Sequence, residues 1–319
     1  MANEERSKTL SYLRVTFMTD DDGKKAKHTL AHYLNRAHEK TPNIEDRTFL
    51  IDGQEVACCH FKPRKKGGQL LHVAVSTPGE AVSLVPKPKK VKEVDLGTLP
   101  PPAGKDFMDG DIMLLVQDNH VLFCSTGVHV KKASEYLRHL FAETEQPDQA
   151  LAFALVKVAD VNKIALIREK GVKRLHMNAG LFTATQTHEE RVQRTTQRKL
   201  FHSISNELKG LFAKDEALKE YSDAENLTAE LIIRFDRRIK GGEIGQRRIE
   251  SLAEMIVTDE DGEGFKIVTY DDEMISSEAI TLRQKIKVPK DGKTVDYKSV
   301  WRAMNTYLAE LEQKGLLDQ

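Results

Sequence analysis

Cysteine, tryptophan and net charge are scarce in this chain. Its 319 residues hold three cysteines and one tryptophan, and 49 Lys+Arg balance 49 Asp+Glu. An odd cysteine count without paired spacing excludes a disulfide framework and leads us to expect a reducing, cytoplasmic setting. Zero net charge excludes a uniformly basic nucleic-acid coat but leaves room for a local basic face. Aromatics make up only 6% of the chain. No stretch approaches the roughly 20 apolar residues of a spanning helix. Met1 to Lys8 is polar and charged, unlike the apolar core of a signal peptide. A soluble protein is expected.

Hydrophobic residues reach 39% and charged residues 31%, too apolar for a disordered chain. At about 100–200 residues per domain, the length suggests two domains. The pattern reads as α+β: two domains, each a mostly antiparallel sheet with packed helices, divided at Pro147 into residues 1–146 and 147–319. Leu10 to Phe17 alternates apolar and polar residues as a half-buried strand does. Asp52-Gly53 and Gln117 to His120 each separate two apolar runs, as in hairpins. Thr29 to His38 and Val130 to Ala142 read as helices. Pro86 to Lys92 belongs to an exposed Lys/Pro-rich connection.

In the second half, Phe153 to Val158, a helix from Asp160 to Lys170 and Val172 to Met177 read as a strand–helix–strand unit. A long helix is expected over about 187–212. Ala229 to Phe235 reads as a strand, Ile244 to Val257 as an amphipathic helix, Phe265 to Tyr270 and Ile280 to Val288 as strands. A last helix runs from about Asp296 to Gln313. The apolar faces of the long and last helices are candidate dimer surfaces or core.

Few catalytic patterns are present. Gly241-Gly242-Glu243-Ile244-Gly245 lacks the Lys-Ser/Thr of a phosphate-binding loop and the dinucleotide-binding spacing. His28 and His32 have helical i,i+4 spacing, but Thr29 stands where a zinc protease needs Glu. With His38 they read as surface histidines. Cys58-Cys59-His60 cannot close a tetrahedral site from one strand. Cys124 and His129 read as packing residues rather than a nucleophile and its base. Asp106, Asp109 and Asp111 suggest a metal-dependent nuclease, because paired carboxylates can hold a divalent ion that activates water. Asp and Gly in Phe107 to Gly110 equally suit a turn. No catalytic residue, cofactor or metal ligand is assigned.

Positive charge, though balanced overall, is clustered. Arg64, Lys65 and Lys66 share one loop. Lys87, Lys89 and Lys90 lie in the Pro-containing connection. Lys173 and Arg174 follow a tight helix–strand turn beside Arg168 and Lys170. Arg194 and Arg198 share a helix face. Arg237, Arg238 and Lys240 follow Arg234 into Gly241-Gly242, and Arg247 and Arg248 come next. Each Lys or Arg placed on a phosphate releases condensed counterions, and Arg offers a planar fork of donors. These residues are the candidate DNA-binding set, expected to grip duplex backbone without reading sequence. Asp259 to Asp261 and Asp271 to Glu273 are acidic residues that could pair with these clusters instead. A protein-interaction scaffold without nucleic-acid affinity is the remaining reading.

The segment Ile164 to Met177, the strand Ala229 to Phe235, the amphipathic helix, the strand after the acidic turn, the last helix and the hairpin Asp111 to Ser125 follow one another in a telling order. That order resembles the RexA-like phage-exclusion proteins, and in general layout the KwaB component of the Kiwa antiphage system. The resemblance implies a homodimeric sensor that binds duplex DNA without sequence preference and signals to a membrane-protein partner. No functional residue is carried over from it. Under this reading bound DNA would shift the two domains about a hinge at Glu143 to Pro147.

Overall fold

Alternation along Glu5–Phe17 (β1) sends one set of side chains to each face of a sheet. Leu13, Val15 and Phe17 point to the face covered by helices, whereas Leu10 and Tyr12 point to the other. The computed structural model describes residues 4–19, 24–87, 93–180, 228–234, 246–247, 249–253 and 265–317. Two compact units emerge: Met1–Lys157 with Arg283–Gln319, and Val158–Leu282. The fold is α+β, and every strand pair among the described residues is antiparallel.

In the first unit, β1 is followed by α1 (Leu30–Lys40), β2 (Thr48–Ile51), β3 (Gln54–Pro63) and β4 (Gln69–Ser76). A small exposed ribbon, β5 (Val82–Leu84) with β6 (Gly97–Leu99), precedes the hairpin β7 (Met108–Gln117) and β8 (His120–Thr126). Then come α2 (Val130–Glu143), α3 (Asp148–Leu151) and β9 (Phe153–Lys157). The Thr29 hydroxyl accepts from the His32 amide and starts α1. The expected Asp52-Gly53 turn forms with φ of 52° and 76°, the left-handed pair that a two-residue hairpin requires. Leu30, Tyr33 and Leu34 of α1 and Tyr136, Leu137 and Leu140 of α2 bury one sheet face.

The second unit holds α4 (Val161–Lys170), β10 (Val172–Gly180), β11 (Thr228–Arg234), a helical stretch within 246–253, β12 (Phe265–Thr269), β13 (Met274–Ser276) and the short α5 (Ser277–Ile280). Its sheet order is β11-β10-β12-β13. Ile167, Leu175, Ile249, Ala253, Phe265 and Ile267 form its core. Val158 and Leu282 meet where this unit begins and ends: the Leu282 amide donates to the Val158 carbonyl at 3.0 Å.

The chain then returns to the first unit as β14 (Arg283–Asp291), β15 (Thr294–Val295) and α6 (Tyr297–Gln313). Among the described residues the large sheet has nine strands in the order β15-β14-β1-β8-β7-β4-β3-β2, with β9 also on β1. The Asp296 carboxylate caps α6 by accepting from the Ser299 amide at 2.9 Å. Val300, Trp301, Met304, Leu308 and Leu311 are buried, and the Trp301 indole donates to the Leu71 carbonyl at 3.1 Å. The apolar face of α6 is therefore core, not a free dimer surface.

Three expectations need correction. Phe153–Lys157 pairs with β1, whereas Val172–Gly180 lies in the other sheet, so the strand–helix–strand segment is not one packed unit. Pro147 caps α3 inside the first unit, with Thr144 and Gln146 buried beside it, which is packed structure rather than a hinge. Ile280 ends a helix, and the following strand starts at Arg283. The long helix expected over 187–212 lies outside the described residues. No helix among the described residues is long and apolar enough to cross a membrane.

Candidate nucleic-acid interface

Antiparallel register decides which cations meet in the second unit. Arg174 in β10 stands directly opposite Arg234 in β11, and His176 stands opposite Ile232. On the other side of β10, Lys266 of β12 stands opposite His176. Leu175 between them is buried in the core, so Arg174 and His176 project from the opposite face. Arg234 and Lys266 are exposed on that face, together with Ile232. Like charges directly opposite in a ladder repel. Nε of Arg174 is buried and has no hydrogen-bond partner. Among the described residues neither Arg234 nor Lys266 has an ion-pair partner. The result is a compact positive face, with Asp272 the described carboxylate that feels the charge of Arg174.

Lys173, one position away, behaves differently. Its ammonium lies 2.5 Å from Asp272, and Lys170 lies 2.8 Å from Glu273. The Lys173 hydrogen bond holds the Asp272 carboxyl below the usual range. Here the acidic segment pairs with the basic cluster, so Lys173 leaves the candidate set. The two neighbours differ in their partners: Lys173 makes the direct ion pair, whereas Arg174, past a register shift in β10, stands opposite Arg234 and acts on Asp272 through its charge.

Other candidates divide similarly. Arg64 is occupied: its Nε donates to Asn305 Oδ1 at 2.9 Å, and its Nη1 donates to the Gly67 carbonyl at 3.1 Å and to Gln117. It fastens the β3–β4 turn to α6 and is a structural residue rather than a free phosphate ligand. Lys65 and Lys66 beside it are exposed. Lys87 is exposed, and Arg247 is exposed on its helix. Lys89, Lys90, Arg194, Arg198, Arg237, Arg238, Lys240 and Arg248 lie outside the described residues.

Reading the sequence for clusters missed His176 and Lys266, which are remote from Arg174 in sequence and meet it only across the sheet. It also missed Arg283, Lys285 and Lys287 on β14, although their alternate spacing was visible in Ile280 to Val288.

Asp111, Cys58, Cys124 and His38 are buried, whereas Asp109, His129, His28 and His32 are exposed. Burial opposes ionisation of Asp111, yet hydrogen bonds from His72 and Thr294 outweigh it and hold its carboxyl below the usual range. Asp109 accepts from Thr77 at 2.8 Å and from Gln54 at 3.3 Å. Burial pushes the Cys58 and Cys124 thiols up to about 12, where they carry no thiolate at neutral pH. His129 caps α2 by accepting from the Lys131 amide. His28 and His32 stack at 4.1 Å. His38, expected at the surface, is buried against Phe61 and hydrogen-bonded to Gln69. Among the described residues no group of three or more His, Cys, Asp and Glu side chains is placed to hold a metal ion.

No protein-family model matches the chain, and no curated protein matches it.

Proposed function

We propose that this protein binds nucleic acid through phosphate contacts that do not depend on sequence. Its role in that reading is a duplex-binding sensor of a phage-exclusion system, homodimeric and coupled to a membrane-protein partner. The binding rests on one observation: Arg174 and Arg234 face each other across a sheet with Lys266 beside them, and neither Arg234 nor Lys266 has an ion-pair partner among the described residues. A bound phosphate backbone relieves their repulsion, accepts from both guanidinium forks and releases counterions. The sensing role and the membrane partner rest on the resemblance in element order to the RexA-like proteins and KwaB.

Fluorescence anisotropy of an unrelated duplex, titrated from about 50 to 200 mM salt, tests the reading. Binding should weaken steeply with salt. The double variant Arg174→Gln/Arg234→Gln should lower the salt slope by about 2, near 0.9 for each phosphate no longer neutralised. Absence of binding at the lowest salt overturns the nucleic-acid reading. A wild-type slope in the double variant removes this face from it.

A further inference from the structure

The first unit carries a second basic array, formed between its first described strand and a strand that returns from the far end of the sequence, with Glu5 at its outer end. Arg283, Lys285 and Lys287 occupy every second position of β14 and all three are exposed. The alternate residues Gln284, Ile286 and Val288 turn to the other face, and Val288 is buried. The register with β1 sets a hydroxyl opposite each cation: Ser11 faces Arg283, Thr9 faces Lys285 and Ser7 faces Lys287. Ser7 and Thr9 are exposed and Ser11 is half-buried. Among the described residues none of the three cations has an ion-pair or hydrogen-bond partner. Cations just beyond the ladder are occupied. Lys290 lies 2.6 Å from Glu4, and Arg6 donates to the Lys293 carbonyl at 2.6 Å.

We infer that this three-rung face is a phosphate-backbone contact surface in its own right. Lys and Arg paired with Ser and Thr hydroxyls are the side chains that protein–DNA interfaces spend on phosphates. Rungs along a strand repeat at about 6.7 Å, two residues of about 3.3–3.4 Å each, which spans two nucleotide steps of a duplex strand at about 3.4 Å. The cations supply charge, and on each rung the facing hydroxyl can donate to an oxygen of the same phosphate. Nothing in the ladder presents a base-reading pair at fixed geometry, so the contact is to backbone alone. The inference rests on the nucleic-acid reading above but uses a different unit and none of the same residues.

The test uses the full-length protein and the same duplex. The triple variant Arg283→Gln/Lys285→Gln/Lys287→Gln should bind on the order of a hundredfold more weakly near 0.1 M salt, with a slope lower by roughly 2.7. The variant Lys285→Arg/Lys287→Arg should retain wild-type slope, and Ser7→Ala/Thr9→Ala should weaken binding with the slope unchanged. If wild type binds and Arg174→Gln/Arg234→Gln weakens it while the triple variant does not, the ladder is overturned and the functional reading stands. If no protein binds the duplex at any salt, the functional reading itself has failed. Polyglutamate that displaces the duplex from wild type at equal charge concentration, and fails to bind the triple variant, would overturn the phosphate assignment in favour of an acidic polypeptide.

Discussion

Nε2 of His72 lies 3.0 Å from Oδ2 of Asp111, and the Asp111 side chain is fully buried. Thr294 donates to the same oxygen at 2.5 Å, so one carboxylate joins β4, β7 and the segment entering α6. His72 also packs against Tyr297 at 4.8 Å and His60 at 5.8 Å, and the Tyr297 and His60 rings lie 4.6 Å apart. A buried carboxylate is tolerated only when its oxygens are partnered, and Oδ1 of Asp111 and Nδ1 of His72 are the two atoms left without one.

Asp111→Ala should destabilise the first unit by about 1–3 kcal/mol, because the donors of His72 and Thr294 remain buried without an acceptor. Urea denaturation should move the midpoint while leaving the m-value unchanged. A midpoint equal to wild type would show that the pair adds nothing to folding.

Acid should weaken the fold through both Asp111 and His38. Burial pushes His38 down to about 4 against the retaining effect of its Gln69 hydrogen bond. A histidine kept neutral when folded gives full stability above its unfolded value of 6.5, and that stability is lost as pH falls towards about 4. The contribution is about 3 kcal/mol as an upper bound. Asp111, with a depressed carboxyl, gives stability present above its unfolded value near 3.8 and lost at still lower pH. Denaturation at pH 7 and pH 4.5 should therefore differ more in wild type than in His38→Gln. An equal difference in the two proteins would remove His38 as a source of acid sensitivity.

Arg234→Gln should stabilise the second unit while weakening duplex binding. Removing one of two like charges directly opposite in a ladder relieves about 0.2–1 kcal/mol. Thermal unfolding and anisotropy on the same sample check the two halves. Loss of stability together with affinity would mean that Arg234 is a structural residue.

Gly68 should tolerate no side chain. Its φ is +78°, and an added Cβ would lie 2.0 Å from the Val116 carbonyl oxygen. Gly67, at φ +88°, would place a Cβ with nothing within 4 Å. Gly67→Ala should cost about 1–2 kcal/mol from left-handed backbone alone. Gly68→Ala should cost more, because backbone must also move from backbone. Equal unfolding midpoints for the two variants would contradict the close approach.

Local chemistry made much of the element list legible. Asp52-Gly53 specifies its hairpin because both residues reach positive φ. Thr29 and Asp296 start α1 and α6 through side-chain caps within three residues. The α6 stripe Val300, Met304, Tyr307, Leu308 and Leu311 was legible as an apolar face, dimer surface or core, and packing makes it core. The candidate site was harder to read. Lys173 and Arg174 are neighbours in one cluster, yet Lys173 is neutralised by Asp272 while Arg174 faces Arg234. Counting charges along the chain cannot separate them, because the ion pair of Lys173 and the cross-strand neighbour of Arg174 both come from residues remote in sequence.

The sequence by itself determined that this would be an α+β chain with short-range hairpins, capped helices and clustered charge, because those features depend on residues a few positions apart. Only the tertiary structure decided that β14 returns to β1, setting Arg283, Lys285 and Lys287 across from Ser11, Thr9 and Ser7. It likewise decided that Arg174, Arg234 and Lys266 share a face. Period-two alternation says that side chains share a face, but not which face or beside whom. Those choices follow from long-range burial of each strand's apolar side.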